Sequence, residues 1–319
     1  MSQLRVSTAA PTPVNPETAI NTILNALDGV VLGKKYQLRL ALSCLLANGH
    51  LLIEDVPGVG KTTLAHALAA VLGLNFTRIQ FTSDMLPSDV IGVSLLNQET
   101  GSFSLHKGPL FSQLVLGDEV NRATPKTQSA LLEAMEERQI SIDGTTHPLP
   151  SPFFVIATQN PTEQIGTYPL PESQLDRFLM RLSLGYPDRE HERQLLTGGD
   201  RRSMLTTIQA VLDASQLNDL QTQVHKVHVA EPLLDYIQNL VEFSRNESKL
   251  VNGISPRAAL MLVHAARAWA LVNHQDSVTP QHVQDVLGAV VDHRLVFRHS
   301  AADPALRVSE HLMSAVPIP

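Results

Sequence analysis

This sequence predicts an α/β fold: a mostly parallel sheet covered by helices on both faces, followed by a smaller all-helical domain. Three observations lead there. The first half alternates five short apolar segments with helical patterns. The first of those segments runs into a glycine-rich turn, a lysine and two threonines, "DVPGVGKTT" (Asp55 to Thr63). After about Pro187 the strand signals fade and helical periodicity takes over.

The strand segments are "HLLIEDV" (His50 to Val56), "NFTRIQF" (Asn75 to Phe81), "QLVLGDE" (Gln113 to Glu119), "PFFVIATQN" (Pro152 to Asn160) and "RFLMRLSL" (Arg177 to Leu184). Between them, "TTLAHALAAVLG" puts Leu64, Leu68, Val71 and Leu72 on one helical face and stops at Gly73, a natural C-terminal cap. "TPKTQSALLEAMEER" opens with Thr124 as N-cap and Pro125 in the first turn. Two hairpin-like insertions break the rhythm: Val93 to Gly108, turning around Glu99, Thr100 and Gly101, and Ile140 to Pro150, with Asp143-Gly144 as the turn. A plain doubly wound domain needs neither, so both are candidate substrate-facing elements. Three helical stretches follow, "EPLLDYIQNLVEFSRN", "SPRAALMLVHAARAWALVN" and "TPQHVQDVLGAVVDHRL", the last two opening on Ser-Pro and Thr-Pro caps. The expected organisation is a flexible tail over 1–16, an αβα core over 17–187, and a helical domain with a C-terminal extension over 188–319.

The bulk numbers narrow the function classes. The chain of 319 residues suffices for one large or two ordinary domains, and 43% apolar content supports a real core. A net charge of -7 argues against a protein that coats nucleic acid, while leaving a local basic channel open. The single cysteine, Cys44, excludes an internal disulfide framework and reads as a small buried hydrophobe in "LRLALSCLLANG". No apolar run reaches the length of a membrane span, and "MSQLRVSTAAPTPVNP" lacks the apolar stretch of a secretory signal. The expected home is the reducing cytoplasm.

A phosphate cradle needs backbone N–H groups converging on phosphate oxygens at a helix start. Gly58 and Gly60 would let the backbone curl that closely, Lys61 would reach the β- and γ-phosphates, and the Thr62 hydroxyl would face Mg²⁺. An ordinary glycine turn is the competing reading, disfavoured by G-K-T-T lying between a strand and a helix. The usual pattern, G-x-x-x-x-G-K-[ST], puts its first glycine where this chain has Asp55. A second motif matches the first. "QLVLGDE" is an apolar strand ending in two acids, so Asp118 could serve the Mg²⁺ shell and Glu119 could polarise an attacking water. A charged strand end at the surface is common, but its pairing with the cradle favours the functional reading, and Glu119 argues for hydrolysis over mere binding. "VIATQNP" ends a strand on Asn160, which could sense the γ-phosphate or hold the water, although Asn-Pro is also an ordinary turn signal. The "HKVH" run (His225 to His228) lacks a third metal ligand at convincing spacing, Trp269 on its apolar helix reads as core, and "RRS" (Arg201 to Ser203) is too short for a nucleic-acid patch.

Three segments, "GHLLIEDVPGVGKTTLAHALA", "GDEVNRATPKTQSALLEAMEE" and "FFVIATQNPTEQIGTYPLPESQLDRF", resemble the MoxR family of AAA+ ATPases, in order and at family-like spacing. The resemblance runs from about Val31 to Arg294, and the family also opens its P-loop with an acid, as Asp55 does here. It implies a P-loop NTPase core of five strands, with the two hairpins as helix-2 and pre-sensor-1 inserts facing the substrate side of a ring, and a helical lid. It implies ATP and Mg²⁺ as cofactors, a nucleotide-contacting run of Pro57, Gly58, Val59, Gly60, Lys61, Thr62 and Thr63, and Thr62 and Asp118 toward the metal. Lys61 and Glu119 would act in catalysis. Asn160 matches sensor 1, Arg177 the arginine finger offered to a neighbouring subunit, and Arg257 sensor 2. A structural ion pair of Arg177 with Asp176 or a nearby acid is the competing reading of that arginine, and Arg122 or Arg181 could also reach an interface. For Arg257 a solvated helix N-terminus is the alternative, a poor place for a cation unless a phosphate is near. The implied assembly is a homo-oligomeric ring, usually a hexamer, acting on a client protein with a separate von Willebrand factor A-domain partner. A metal-chelatase motor, a nucleic-acid motor and a nucleotide-gated scaffold with little turnover are the other readings. The acidic balance and the hairpin ends, with only His106 and Lys107 on the first, oppose the nucleic-acid motor.

Overall fold

In the computed structural model, which describes residues 15–98, 101–161, 166–197, 205, 208–298 and 306–318, all five strand segments enter one parallel sheet. They are β1 (Leu51–Glu54), β2 (Phe76–Gln80), β5 (Leu114–Asp118), β8 (Phe154–Gln159) and β9 (Met180–Leu182), in the order β2-β5-β8-β1-β9. The register sets Ile53 opposite Thr158, Leu116 opposite Ile156, and Gln80 opposite Asp118. Successive residues face opposite sides. Leu51, Ile53, Leu116 and Ile156 join one buried cluster, while Leu52, Val115, Val155 and Ala157 join another on the other face. Burial on both faces is the physical reason these strands read as continuous apolar runs rather than alternating ones.

The first face is covered by α1 (Pro16–Val30), α2 (Lys35–Leu46) and α3 (Lys61–Val71). α1 is a helix beyond the predicted elements. It begins inside the segment read as tail, with Asn15 accepting from the N–H groups of Glu17 and Thr18, and it buries Ile20, Ile23, Leu24 and Leu27. The rest of that tail, residues 1–14, lies outside the described residues, as do Glu99 and Thr100 of the first hairpin turn, residues 162–165 and the Arg201–Ser203 run. Gly73 sits one residue past the α3 cap at φ +62°, the left-handed conformation expected there.

The second face carries α4 (Pro87–Ile91) and α5 (Pro125–Glu137), which starts where predicted, Thr124 Oγ1 accepting from Thr127 N–H. Both insertions are antiparallel hairpins. β3 (Gly92–Asn97) pairs with β4 (Ser102–Lys107), and β6 (Gln139–Ile142) pairs with β7 (Thr145–Pro148). Asp143 and Gly144 both have positive φ, as a two-residue hairpin turn requires. The first hairpin exposes Leu95, Leu96 and Phe103, with Leu96 directly opposite Phe103.

A short α6 (Glu172–Leu175) precedes β9, and beyond β9 come the helices α7 (Arg189–Thr197), α8 (Ala214–Lys226), α9 (Glu231–Asn246), α10 (Pro256–Val272), α11 (Pro280–Val291) and α12 (Val308–Ala315). Ser255 and Thr279 cap α10 and α11 as the Ser-Pro and Thr-Pro signals predict. These helices do not keep a core of their own. Leu217, Tyr236, Leu262 and Leu287 share one buried cluster with Leu38, Leu42 and Met180. Cys44 is fully buried there, its burial pushing the thiol pKa up, and Trp269 is core, with Nε1 donating to Asp285. Among the described residues no helix is long and apolar enough to cross a membrane.

Candidate nucleotide site

The carboxyl ends of β1, β5 and β8, neighbours in the sheet, gather the predicted residues. β1 delivers the loop from Asp55 to Gly60, and α3 starts at Lys61. Gly58 and Gly60 stand at φ +85° and +97°, and a Cβ at either would meet nothing within 4 Å. Glycine is therefore demanded here by backbone conformation and not by crowding. No side chain caps the start of α3, so its first N–H groups and the positive end of its dipole face the loop. Lys61 Nζ spans the loop, donating to the Asp55 carbonyl at 2.5 Å, to Val56 O at 3.3 Å and to Gln159 O at 3.5 Å. Thr62 and Thr63 follow in the first turn, half-buried.

Asp55, the departure from the usual pattern, has a defined task. Its Oδ2 accepts from Ser183 Oγ at 2.9 Å and from the N–H groups of Leu184 and Gly185 at 2.6 Å each, while Oδ1 accepts from Val56 N–H at 2.8 Å. Burial alone would raise this carboxyl's pKa. The bonds from Gly185, Ser183, Val56 and Leu184 outweigh burial and hold it below the usual carboxylate range. The acid thus ties the loop entrance to the segment leaving β9. A glycine could not make this tie.

Asp118, buried at the tip of β5, receives Thr158 Oγ1 on Oδ1 at 2.5 Å and Arg78 on Oδ2, from Nε at 3.1 Å and Nη2 at 2.6 Å. The same Thr158 hydroxyl accepts from Glu119 N–H at 3.0 Å, so one side chain on β8 sets both acids. Glu119 has a left-handed backbone, φ +57°. Its Oε2 takes both Gln80 Nε2 at 2.9 Å and the ion pair with Arg122 Nε at 2.8 Å. Oε1 is the oxygen turned to neither. Asn160 is buried just past β8, two residues beyond Thr158. The donor set fits a nucleotide and a hard divalent cation: uncapped N–H groups and a lysine for phosphate, and a hydroxyl at Thr62 and a carboxylate at Asp118 for Mg²⁺. A carboxylate oxygen keeps a second lone pair when it accepts one bond, so Asp118 retains capacity on Oδ1, which accepts the Thr158 hydroxyl, while Oδ2 takes both bonds from Arg78.

Not every predicted residue comes to this place. Arg177 Nη1 donates to Leu132 O of α5 at 2.5 Å and borders a cavity of about 500 Å³ with Glu133, Glu137 and Gln174. Arg257, in the first turn of α10, pairs with Glu136 of α5 at 2.5 Å. Leu132 and Glu136 are one helical turn apart, so both arginines meet the C-terminal half of α5 and not the loop of their own Lys61. Asp176 does not pair with Arg177; its partner is Arg294 at 2.8 Å. Arg181 pairs with Glu54 at 2.7 Å and donates to Asp292 O, and Arg122 pairs with Glu119. Sequence reasoning passed over Arg78, Gln80, Thr158 and Ser183. A signal for the first two exists: "RIQ" puts polar residues at alternate positions of an apolar strand, on one face.

Residues 50–180 match the ATPase family associated with various cellular activities (AAA), and residues 242–313 match the AAA lid domain. The chain is 44% identical over 296 residues to the uncharacterized protein YeaC of Bacillus subtilis, covering 92% of each. It is 42% identical over 283 residues to Chaperone MoxR1 of Mycobacterium tuberculosis, covering 85% of this chain and 74% of that one. A crystal structure of a Cytophaga hutchinsonii protein superposes with a TM-score of 0.84 at 38% identity, over 95% of this chain and 96% of the other. The chain belongs to the MoxR family of AAA+ ATPases.

Proposed function

We propose that this ATPase works as a ring, hydrolysing Mg²⁺-ATP between subunits and using the cycle to remodel or activate a client protein. The observation that carries the reading is the division of the residues between two places. The loop of Lys61, Asp118, Glu119 and Asn160 meet at the strand ends, while Arg177 is held on α5 by Leu132 O. A site with the cradle and the acids, and with its finger facing elsewhere, is completed by a second copy.

In that reading the run from Pro57 to Thr63 holds the triphosphate, Thr62 and Asp118 face the metal, and Mg²⁺ supplies charge neutralisation of the phosphates. Glu119 polarises the water through Oε1, and Asn160 holds it or senses the γ-phosphate. Arg177, with Arg257 beside it, offsets charge on the neighbour's transferred phosphoryl. The segment over 17–187 is the ATPase core and 188–319 the lid, a division supported by the separate AAA and lid matches. The exposed Leu95, Leu96 and Phe103 suit an apolar protein client better than nucleic acid, whose phosphates would call for basic residues there. A von Willebrand factor A-domain protein is the proposed separate partner, and the cytoplasm the proposed location.

The test is ATP hydrolysis against protein concentration, with mass measured alongside, for the wild type and Arg177→Ala. Specific activity that rises as the ring forms, with a variant that assembles but turns over about 10³-fold more slowly, supports the reading. Turnover independent of both concentration and Arg177 overturns it.

A further inference from the structure

Arg294 lies in the turn that ends α11, and its side chain is only 5% exposed. A guanidinium buried this deeply must place its donors well, and each of its three nitrogens has a partner next to the finger. Nε donates to Asp176 Oδ1 at 2.8 Å. Nη2 donates to the carbonyls of Asp176 at 3.3 Å and Phe178 at 2.5 Å, and contacts Met261 Sδ of α10 at 2.9 Å. Nη1 reaches Leu179 O at 3.4 Å, His293 Nε2 at 2.7 Å and Val290 O of α11. The bonded carbonyls at 176 and 178 are the two residues flanking Arg177. One side chain therefore grips the backbone on both sides of the finger while its own stem belongs to the lid. His293 adds a contact to Phe178 O at 3.2 Å. A cavity of about 230 Å³ opens beside the pair, lined by Glu172, Gly253 and Ser255, leaving room for the grip to shift.

We propose that Arg294 is a positioning residue for Arg177: it couples the lid helices α10 and α11 to the finger, so that lid position in one subunit sets how the finger meets the neighbour's ATP. This rests on the reading of Arg177 as acting in trans. The structural reason for a direct grip is that Arg177's own backbone bond, N–H to Gln174 O at 3.2 Å, belongs to the single turn of α6 and gives it little stiffness.

The experiment is subunit mixing. Arg294→Met removes the grip, and Asp176→Asn is the second variant because it keeps an oxygen for Nε and leaves the apolar packing alone. Each is measured alone and mixed with Glu119→Gln, whose own site is inactive but whose finger is intact. Arg177→Ala in the same mixture is the reference. Fluorescent ATP-analogue affinity and melting temperature are read in parallel. The expected result is about a 10²-fold fall in kcat for Arg294→Met, the loss typical of a displaced reacting group, and a smaller fall for Asp176→Asn, which weakens the charged contact to Nε but keeps the backbone ones, with analogue affinity near wild type in both. In the mixture, turnover rises well above the sum of the separate rates, because a Glu119→Gln subunit supplies a well-placed finger to an intact site. If Arg177→Ala is restored by mixing but the Arg294 and Asp176 variants are not, the grip acts within its own subunit and the proposal is overturned alone. Wild-type turnover in both variants overturns it too. If Arg177→Ala itself is not restored, the trans-acting finger fails and this proposal falls with it.

Discussion

Replacing Asp55 tests how the loop is held to the rest of the core. In the structure one oxygen, Oδ2, receives Ser183 Oγ, Leu184 N–H and Gly185 N–H, and the other receives Val56 N–H. Hydrogen bonds to a charged group contribute about 1.5–3 kcal/mol each, less when several share one acceptor. Asp55→Ala removes all four acceptor contacts and leaves the backbone donors of buried Leu184 and half-buried Gly185 to find water, a loss of about 3 kcal/mol. Asp55→Asn is milder but not neutral. With its oxygen kept toward Leu184 and Gly185, its amide faces the Val56 N–H, donor against donor. A loss of about 3 kcal/mol lowers the melting temperature of a chain this size by roughly 5–10 °C. The sign with pH follows from the lowered carboxyl pKa. The contribution is full above the unfolded value of about 4 and disappears as pH falls through the lower folded value. The gap between wild type and Asp55→Ala should therefore be widest near neutrality and close in acid. Differential scanning calorimetry across pH reads both effects. An Ala variant melting within a degree of wild type at neutral pH would refute the tether.

Two further outcomes are expected. Glu119→Gln should lower turnover by about 10²–10⁴-fold while ATP stays bound to the protein after gel filtration. Its stability should stay near wild type, because the Arg122 pair is partly exposed and such pairs contribute about 1 kcal/mol or less; turnover at the wild-type rate removes the water-activating role. His50 bridges β8 and α5 in neutral form, Nδ1 accepting from Val155 N–H and Nε2 donating to Met135 O, and burial, helped by Arg138, pushes its pKa down to about 3. Its share of stability is full above about pH 6.5 and is lost progressively as pH falls toward the folded value, at about 1.4 kcal/mol per pH unit. In urea titrations over that window the wild type should lose stability more steeply than His50→Gln, and coincident slopes would contradict the assignment.

Much of the site was legible in order along the chain. The five strands were readable because each is buried on both faces and so carries an unbroken apolar run. The cradle was readable because left-handed turns select glycine and helix starts select certain residues, both local demands. Asp118-Glu119 was readable as two acids ending such a run. The helix α1 escaped because it lies next to a Pro- and Thr-containing tail, and its cap, Asn15, sits inside that stretch. Thr158 escaped because a threonine in a strand is ordinary by itself; only the register beside Asp118 gives its hydroxyl two partners.

By itself, then, the sequence determined which segments are strands, where the backbone must turn left-handed, and which family the motifs match, since these follow from properties of neighbouring residues. Only the tertiary structure decided who pairs with whom. Asp55 meets residues 183–185, Arg78 meets Asp118, Arg257 meets Glu136, and Arg294 closes on Asp176 and not on a nearer acid. Those choices join residues far apart in the chain. A charged side chain, buried like Arg294 or half-exposed like Arg78, takes whichever partner the packing of the sheet and helices brings within reach, and nothing in its sequence neighbourhood encodes that partner.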